Sequence, residues 1–576
     1  MNSVDYVVPM ADDTGDFQEF TRRNVLRGSA FAALGLGASL GLGAATTGCA
    51  PFIGPDGTLV DPLDVIWPPD ERRRLVWRAP RNPGDPLRLP EPRSRSALVI
   101  GGGLAGLSAA LELAERGYAV TVRESGPEFG GRLATRDLDP GLGRTFRVEH
   151  GLHMWFDNYR VFRDIRSRLD IDHHFRPYKT VNFVFRDYLP EELESDPKIF
   201  PLNLAAIIDR SPNLDWPDIF GAVGILPDLL GFQLDGLYER LDTQTFDQWM
   251  DANNVSTRFR DIVLQPAAHV TLNDGSELSA AEMLLYQHLY FISQPFAFDR
   301  EITTVDHGTA IIDPWVAKLR SLGAVCRTGS AVSGLAVVGD RVVGTTDDDA
   351  TYDWVVLACD VGGVKQVLSG STGSDNAASG ALARLTDRLA PQGVAPPYRI
   401  LRMWFDRPLD AARPDVIETP QHHPLALICQ FHQLEDESKE WAATTGGSII
   451  EFHLYAIDEA LAAYPDADLW AQVRPTVLEV VPELADAQVL GFTVGSYRNF
   501  TSFAVGTGVT RPHPESAMLD GLANLMLAGD WVGAPTPSAL MERSVVTGRL
   551  AANECLLADG VRESGYQHVS PLGPGV

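Results

Sequence analysis

The 576-residue sequence has only five cysteines, Cys49, Cys326, Cys359, Cys429 and Cys555, and no Cys-x-x-Cys pair among them. That scatter excludes zinc-ribbon and iron–sulfur spacing and a disulfide framework, so no metal site is expected. Positive charge is scarce too: 48 Lys and Arg stand against 76 Asp and Glu, a net charge of −28. A nucleic-acid partner needs clustered positive charge and is excluded on this ground. Long uncharged apolar runs are also missing. The best of them, Gly28 to Ala45, contains five glycines and makes a poor membrane-spanning helix. Apolar residues in general are not lacking, at 45% hydrophobic and 9% aromatic. This is a globular chain, long enough for two intertwined domains with substantial cores.

What is present begins with an apolar run, Ala97-Leu98-Val99-Ile100, that leads into Gly101-Gly102-Gly103-Leu104-Ala105-Gly106 and then a helical stretch from Leu107 to Arg116 ending at Gly117. Strand, glycine turn and helix in that order suit a dinucleotide. Gly101 permits the tight turn, Gly103 lets backbone N–H groups reach a pyrophosphate, and Gly106 allows close helix–strand packing, with the N-terminus at Leu104 and Ala105 facing the anion. A second strand, Ala119 to Glu124, delivers an acid about 20 residues on, where a ribose hydroxyl is expected. Glu124 is the expected ribose ligand. A glycine-rich turn in an unrelated α/β domain is the structural alternative.

Ser125-Gly126-Pro127-Glu128-Phe129-Gly130-Gly131-Arg132 follows, and its Gly130-Gly131-Arg132 core resembles the glycine pair and arginine of the amine oxidase and carotenoid desaturase superfamily of flavoproteins. The resemblance implies that the cofactor is FAD, that Ser125, Gly130, Gly131 and Arg132 lie along its phosphates, and that a far segment completes the pocket. That segment is Leu527-Ala528-Gly529-Asp530, followed by a helical run from Pro537 to Ala552. In the family the Gly-Asp pair, here Gly529 and Asp530, meets the ribityl-pyrophosphate region, and the helix begins beside the isoalloxazine, which gives Ala539 and Met541 as cofactor contacts. A middle piece, Gly308 to Val325 with the β segments up to Asp360, returns the chain to the same domain. The expected fold is α/β: a Rossmann-like FAD-binding domain from segments 96–155, 301–370 and 501–560, with an inserted α+β substrate domain from 156–300 and 371–500, and a tail at 561–576.

The N-terminus carries a separate message. Thr21-Arg22-Arg23-Asn24-Val25-Leu26-Arg27 resembles a twin-arginine export motif, and Gly28 to Ala45 suits a signal h-region. Thr46-Thr47-Gly48-Cys49 is similar to a lipobox, with Thr46 in place of the usual aliphatic residue, and the acids Asp5 to Glu19 depart from a basic n-region. Residues 1–49 are thus read as a signal, with export to the extracytoplasmic side and lipid anchoring at Cys49 as the expectation. The linker 50–95 has ten prolines from Pro51 to Pro92 and eight arginines from Arg72 to Arg95. It reads as an extended tether or surface strap. Its arginines face two alternatives, a membrane surface of anionic headgroups or the protein's own acids.

On the substrate side, Val148-Glu149-His150-Gly151-Leu152-His153-Met154-Trp155 is similar to a flavin-proximal segment of plant-type phytoene and ζ-carotene desaturases. Leu401-Arg402-Met403-Trp404-Phe405 and Phe503 to Pro512 resemble further desaturase motifs. Glu149, His150 and His153 are the candidate general bases, since carboxylate or imidazole can take a proton near neutral pH. The bland readings are a turn-fixing Glu149 and satisfied interior histidines. Leu284 to Phe291 and Ile219 to Leu226 read as core or as tunnel lining. The resemblance implies dehydrogenation or desaturation of a hydrophobic isoprenoid or polyene by hydride transfer to flavin, with a quinone as candidate electron acceptor. Amine oxidation, redox-neutral polyene isomerisation and a non-enzymatic lipid carrier are the alternatives, and lysine is scarce near the flavin motifs.

Overall fold

Five parallel strands form the nucleotide sheet, in the order Val325–Arg327, Ala119–Arg123, Ser96–Ile100, Trp354–Leu357 and Leu525–Leu527. The computed structural model describes residues 73–194 and 202–576, together with an antiparallel strand pair, Phe52–Ile53 and Leu59–Val60. The twin-arginine motif, the Gly28 to Ala45 stretch and Cys49 lie outside the described residues. Three separated stretches of chain supply the sheet. Its central strands, Ala97-Leu98-Val99-Ile100 and Trp354-Val355-Val356-Leu357, are buried throughout. Continuous apolar runs of this kind are what a parallel sheet covered on both faces demands.

The helix Leu104–Glu115 follows the glycine turn and is buried from Leu104 to Ala114, because the closing helix Leu540–Ala558 packs across it. Small residues permit that approach: a Cβ on Gly548 would lie 2.2 Å from Ala105 O, and Ser108 Oγ donates to Val545 O at 2.8 Å.

The inserted part carries a seven-stranded sheet in the order Glu191–Leu193, Val181–Phe183, Val416–Glu418, Leu425–Gln430, Ser448–Leu454, Tyr398–Phe405 and Val489–Tyr497. All neighbours are antiparallel except Val181–Phe183 with Val416–Glu418. The helix Asp466–Val480 packs on this sheet through Leu469, Val473, Val477 and Val480, one helical face. Short helices between Leu202 and Ile292 complete the insertion, and the Leu284 to Tyr290 stretch lies buried in the main core. Residues Arg73–Val576 make one compact unit. Among the described residues no helix is long and apolar enough to cross a membrane.

One segment differs from expectation, and the linker takes one of the forms read for it. The segment read as a tail is built into the fold: Tyr566–Val569 pairs antiparallel with Leu75–Arg78, and Gly573 and Gly575 N–H groups donate to Phe232 and Leu230 carbonyls. Tyr566, His568 and Val569 are buried, and that burial holds the segment down. The described part of the linker is a strap. Three of its arginines meet the protein's own acids: Arg73 with Asp157, Arg81 with Glu554 and Glu563, and Arg95 with Asp353 and Asp559.

Candidate functional site

The glycines of the turn are required for different reasons. Gly101 has φ +110°, and a Cβ there would lie 2.6 Å from Ala358 O; a Cβ on Gly106 would lie 2.0 Å from Gly101 O. Gly103 has φ −81° and ψ −174°, and its Cβ would meet nothing closer than 3.8 Å. Neither the backbone nor protein packing demands glycine at 103. It borders open space at a helix N-terminus that has no side-chain cap and no acid in its first turn. A phosphate fits such a place, because the first helical N–H groups lack partners and the helix dipole favours an anion.

The Gly130-Gly131 backbone runs alongside: Gly130 N–H donates to Gly102 O at 2.8 Å, with φ +118° at Gly130 and +58° at Gly131. Glu124 stands at the end of its strand. Its Oε2 accepts from Gly102 N–H at 2.7 Å, and its Oε1 accepts from Gly126 N–H at 2.7 Å and from the Ser125 hydroxyl at 3.2 Å. The carboxylate is thereby oriented by backbone beside the turn, and Ser125 is exposed. Across 398 residues of sequence, Arg132 Nη2 reaches Asp530 Oδ2 at 2.6 Å, and its guanidinium lies over Phe500 at 4.7 Å. Thr501 donates to Asp530 Oδ1 at 2.9 Å. Gly529 has φ +148°, Ala539 is fully buried at the start of the closing helix, and Met541 is half-buried in its first turn. The glycine turn, Glu124 and Gly130-Gly131 are thus joined by hydrogen bonds, and Arg132 links them to Gly529-Asp530 from the far end of the chain.

Beside it runs the Glu149 to His153 segment. His150 Nε2 lies 2.7 Å from Tyr398 Oη, and Tyr398 donates to Asn499 Oδ1 at 2.9 Å. With the phenol proton so used, His150 donates through Nε2. Its ring stacks on Tyr497 at 3.4 Å between centroids. His153 Nδ1 donates to Gly151 O at 2.8 Å, which leaves its Nε2 as the lone-pair nitrogen. Burial, reinforced by neighbouring cations and imidazoles, holds His150 well below its ordinary value and His153 at about 3. Both rings are neutral at physiological pH.

Glu149 belongs to a buried network rather than to an open cleft. Its Oε2 accepts from His307 N–H at 2.9 Å and lies 2.8 Å from His307 Nδ1. Arg402 stands at the centre, 2.8 Å from Glu451, 3.7 Å from Glu435 and 3.9 Å from Glu149, with its face on Phe431. His453 Nε2 completes the set at 2.7 Å from Glu451 Oε1. One guanidinium cannot balance three buried carboxylates. Burial pushes Glu149 up to about 8 and Glu435 well above its usual range; it acts on Glu451 too, but there Arg402 and His453 override it and hold the carboxyl at about 2. Burial thus favours the protonated form of Glu149, and its bond from the His307 N–H ties this segment to the start of the Gly308 stretch, the segment-fixing alternative to its reading as a candidate base. A second cluster joins insertion to closing helix: Glu282 pairs with Arg511 at 3.1 Å and Arg543 at 2.7 Å.

Sequence reasoning missed Gly548, His307, Glu282 and Arg543. The one signal on offer was an acid inside the apolar run Ala280–Gln287, since a charge there needs a buried partner.

The family described as flavin containing amine oxidoreductase matches residues 104–556. The chain is 26% identical to the carotenoid phi-ring synthase of Chlorobaculum tepidum, over 97% of this chain and 98% of that protein. It is 30% identical to the carotenoid phi-ring synthase of Streptomyces griseus, over 81% of this chain and 88% of that protein. The 15-cis-phytoene desaturase of Arabidopsis thaliana is 23% identical, over 86% and 85%. Among solved structures, a putrescine oxidase superposes with a TM-score of 0.58 at 13% identity, over 80% of this chain and 99% of that chain, a likeness of fold.

Two experiments follow from this geometry. Gly103→Ala is expected to fold like the natural protein and retain at least about tenfold less FAD, whereas Gly106→Ala is expected to lose folded protein outright; flavin-to-protein absorbance ratios and thermal melts read both, and a Gly103→Ala protein with full flavin would refute the assignment of the open turn. The acid network gives a pH test. The folded Glu149 binds its proton more tightly than the unfolded chain does, so its stabilisation is complete below the ordinary value near 4.5 and is lost as pH rises to about 8. Glu149→Gln should flatten the fall of thermal midpoint across that window, while Glu451→Gln, which breaks the buried pair, should destabilise at neutral pH by about 3–5 kcal/mol.

Proposed function

The chain belongs to the flavin containing amine oxidoreductase family and is an FAD-dependent oxidoreductase, and from that premise we propose that it dehydrogenates a hydrophobic polyene, an isoprenoid of the carotenoid class. Bound FAD supplies a two-electron acceptor for a hydride from an activated carbon. The observation that carries the substrate reading is the packing of the segment beside the Gly-Asp motif, whose two imidazoles are hydrogen-bonded within the protein and set among aromatic rings. Burial disfavours charge on His150 and His153, Glu149 belongs to the Arg402 network, and Asp530 is paired with Arg132. The surrounding rings of Tyr398, Tyr497, Phe500 and Phe503 form an aromatic environment that favours an apolar substrate over an ionic one. The resemblance to proteins named for carotenoid rings and for phytoene desaturation supports the same class. The chain's own part is to hold the polyene, exclude water and present neutral imidazoles. Lys365, close in sequence to the nucleotide sheet, directs its ammonium to the Ala390 and Gln392 carbonyls, which argues against a flavin-facing lysine there.

The twin-arginine motif and Cys49 support a place for this activity on the extracytoplasmic membrane surface, where an apolar substrate and a quinone acceptor are both at hand. Cys49→Ser should then move the protein from the membrane fraction to the soluble one; an unchanged distribution would remove the lipid anchor from this picture. The reaction is tested anaerobically by following the flavin band on adding carotenoid-containing membrane extracts and, separately, amines. Bleaching by the extract with a product two hydrogens lighter is the expected result. Bleaching by amines alone would overturn the polyene reading, and product isomers without bleaching would replace dehydrogenation by isomerisation.

A further inference from the structure

Tyr286 is 1% exposed, and its hydroxyl has no hydrogen-bond partner among the described residues. The two tyrosine hydroxyls nearest it along and across this helix are, by contrast, both satisfied. One turn along, the Tyr290 hydroxyl lies 2.8 Å from that of Tyr159, and one turn back, Glu282 takes the Tyr238 hydroxyl at 2.7 Å together with Arg511 and Arg543. Glu282 and Tyr286 are four residues apart on the helix Ala280–Gln287 and share a face. The ion cluster at Glu282 therefore locks that face against the segment that closes the flavin site. Arg543 in turn donates to the Asp530 carbonyl at 3.3 Å. The Tyr286 ring stands edge-on to Phe503, Phe503 stands edge-on to Phe500, and Phe500 carries the Arg132 guanidinium that pairs with Asp530. Burial raises the phenol well above its ordinary value, with Tyr290, Glu282 and Asp530 acting in the same sense and Arg543 against them. The group is a protonated donor throughout the working pH range. An unpaired buried hydroxyl costs about 1–3 kcal/mol, and a helix held by two buried ion pairs cannot turn it to solvent.

We propose that the Tyr286 hydroxyl donates a hydrogen bond to the bound flavin, a contact contributed by the inserted part of the chain and not by either nucleotide motif. It rests on the FAD site and not on the polyene substrate, so bleaching by amines would leave it standing.

The test uses the holoenzyme. Tyr286→Phe keeps the ring and removes the donor; it should shift the visible flavin band and speed flavin release on dilution, read as fluorescence, by about tenfold. Tyr290→Phe is the control, since its hydroxyl is already bonded to Tyr159: it should lower the thermal midpoint and leave flavin release within about twofold of the natural protein. Glu282→Gln, which loosens the lock that presents Tyr286, should reproduce the faster release, and it decides the matter if Tyr286→Phe does not fold. A Tyr286→Phe holoenzyme with unaltered band and release rate overturns the proposal. So does one whose flavin is unaltered while KM for substrate rises, because the hydroxyl would then serve the substrate.

Discussion

A Cβ at Gly106 would stand 2.0 Å from Gly101 O, and one at Gly548 would stand 2.2 Å from Ala105 O, so strand, turn, helix and closing helix touch backbone to backbone. At these two points no side chain separates the layers. The start of the closing helix, Ala539 to Met541, is therefore placed relative to the open turn at Gly103 by main-chain contact, reinforced by the Ser108 hydroxyl on Val545 O and the Glu112–Arg549 pair. Asp530 inherits the same precision through the short parallel strand Leu525–Leu527, which pairs with Trp354–Leu357. Those strands in turn lie beside Ser96–Ile100. A cofactor that must be gripped at both ends needs this kind of rigid span, since a misplacement of an ångström at either end loosens the grip.

The insertion is attached to that span by buried charge. Glu112 meets Arg168 and Arg549, Glu282 meets Arg511 and Arg543, and Glu451 meets Arg402, all with carboxyls 1% exposed or less. Arg168 and Glu282 make the connection for the helical part of the insertion, while Arg402, opposite Glu451 on neighbouring strands of the seven-stranded sheet, makes it through Glu149. Such pairs add little net stability over apolar contacts of the same shape, but breaking one is expensive, because a buried charge is left behind. Their effect here is directional. An apolar interface between the helix Ala280–Gln287 and the closing helix tolerates small slides, whereas hydrogen-bonded guanidinium and carboxylate groups accept one register. In a chain with a net charge of −28, arginines are placed inside to fix geometry as well as outside to balance acids.

The nucleotide half was legible in the sequence because its demands are local. Gly101, Gly103, Gly106 and Glu124 are tied to one another across 24 residues, so spacing alone carries the geometry. Arg132 and Asp530 were found only through their resemblance to a known flavoprotein pattern, since nothing local in either segment announces the other. The Arg402 network stayed hidden for the opposite reason. Its members come from a strand at 398–405, another at 448–454, Glu435 between two short helices, the loop before Gly308 and the segment after Val148, and no periodicity links them. Glu149 was noticed, but its role follows from the number of carboxylates around one guanidinium, a quantity that only the assembled fold supplies. The arginines of the strap illustrate the same limit. Composition marks them as basic, while pairing with Glu554, Glu563 and Asp559 is a fact of the folded chain.

The tautomers at His150 and His153 constrain the chemistry more than their residue type does. Each ring gives one N–H to an oxygen of the protein, Tyr398 Oη for His150 and the Gly151 carbonyl for His153, and keeps one lone pair. A ring arranged in this way can accept a hydrogen bond or bridge to a water. It is a poor general base, because protonation creates a cation in a buried site that already holds Arg132 and Arg402. The ordinary advantage of histidine, a charge change near neutral pH, has been removed by burial. What remains is shape and polarity: flat rings packed against Tyr497 and His307 that define one wall of the site without bringing charge to it. Chemistry beside such a wall has to draw its activation from the cofactor and from the reacting bond itself, because a protein base strong enough to abstract a proton is not what two buried, hydrogen-bonded imidazoles supply.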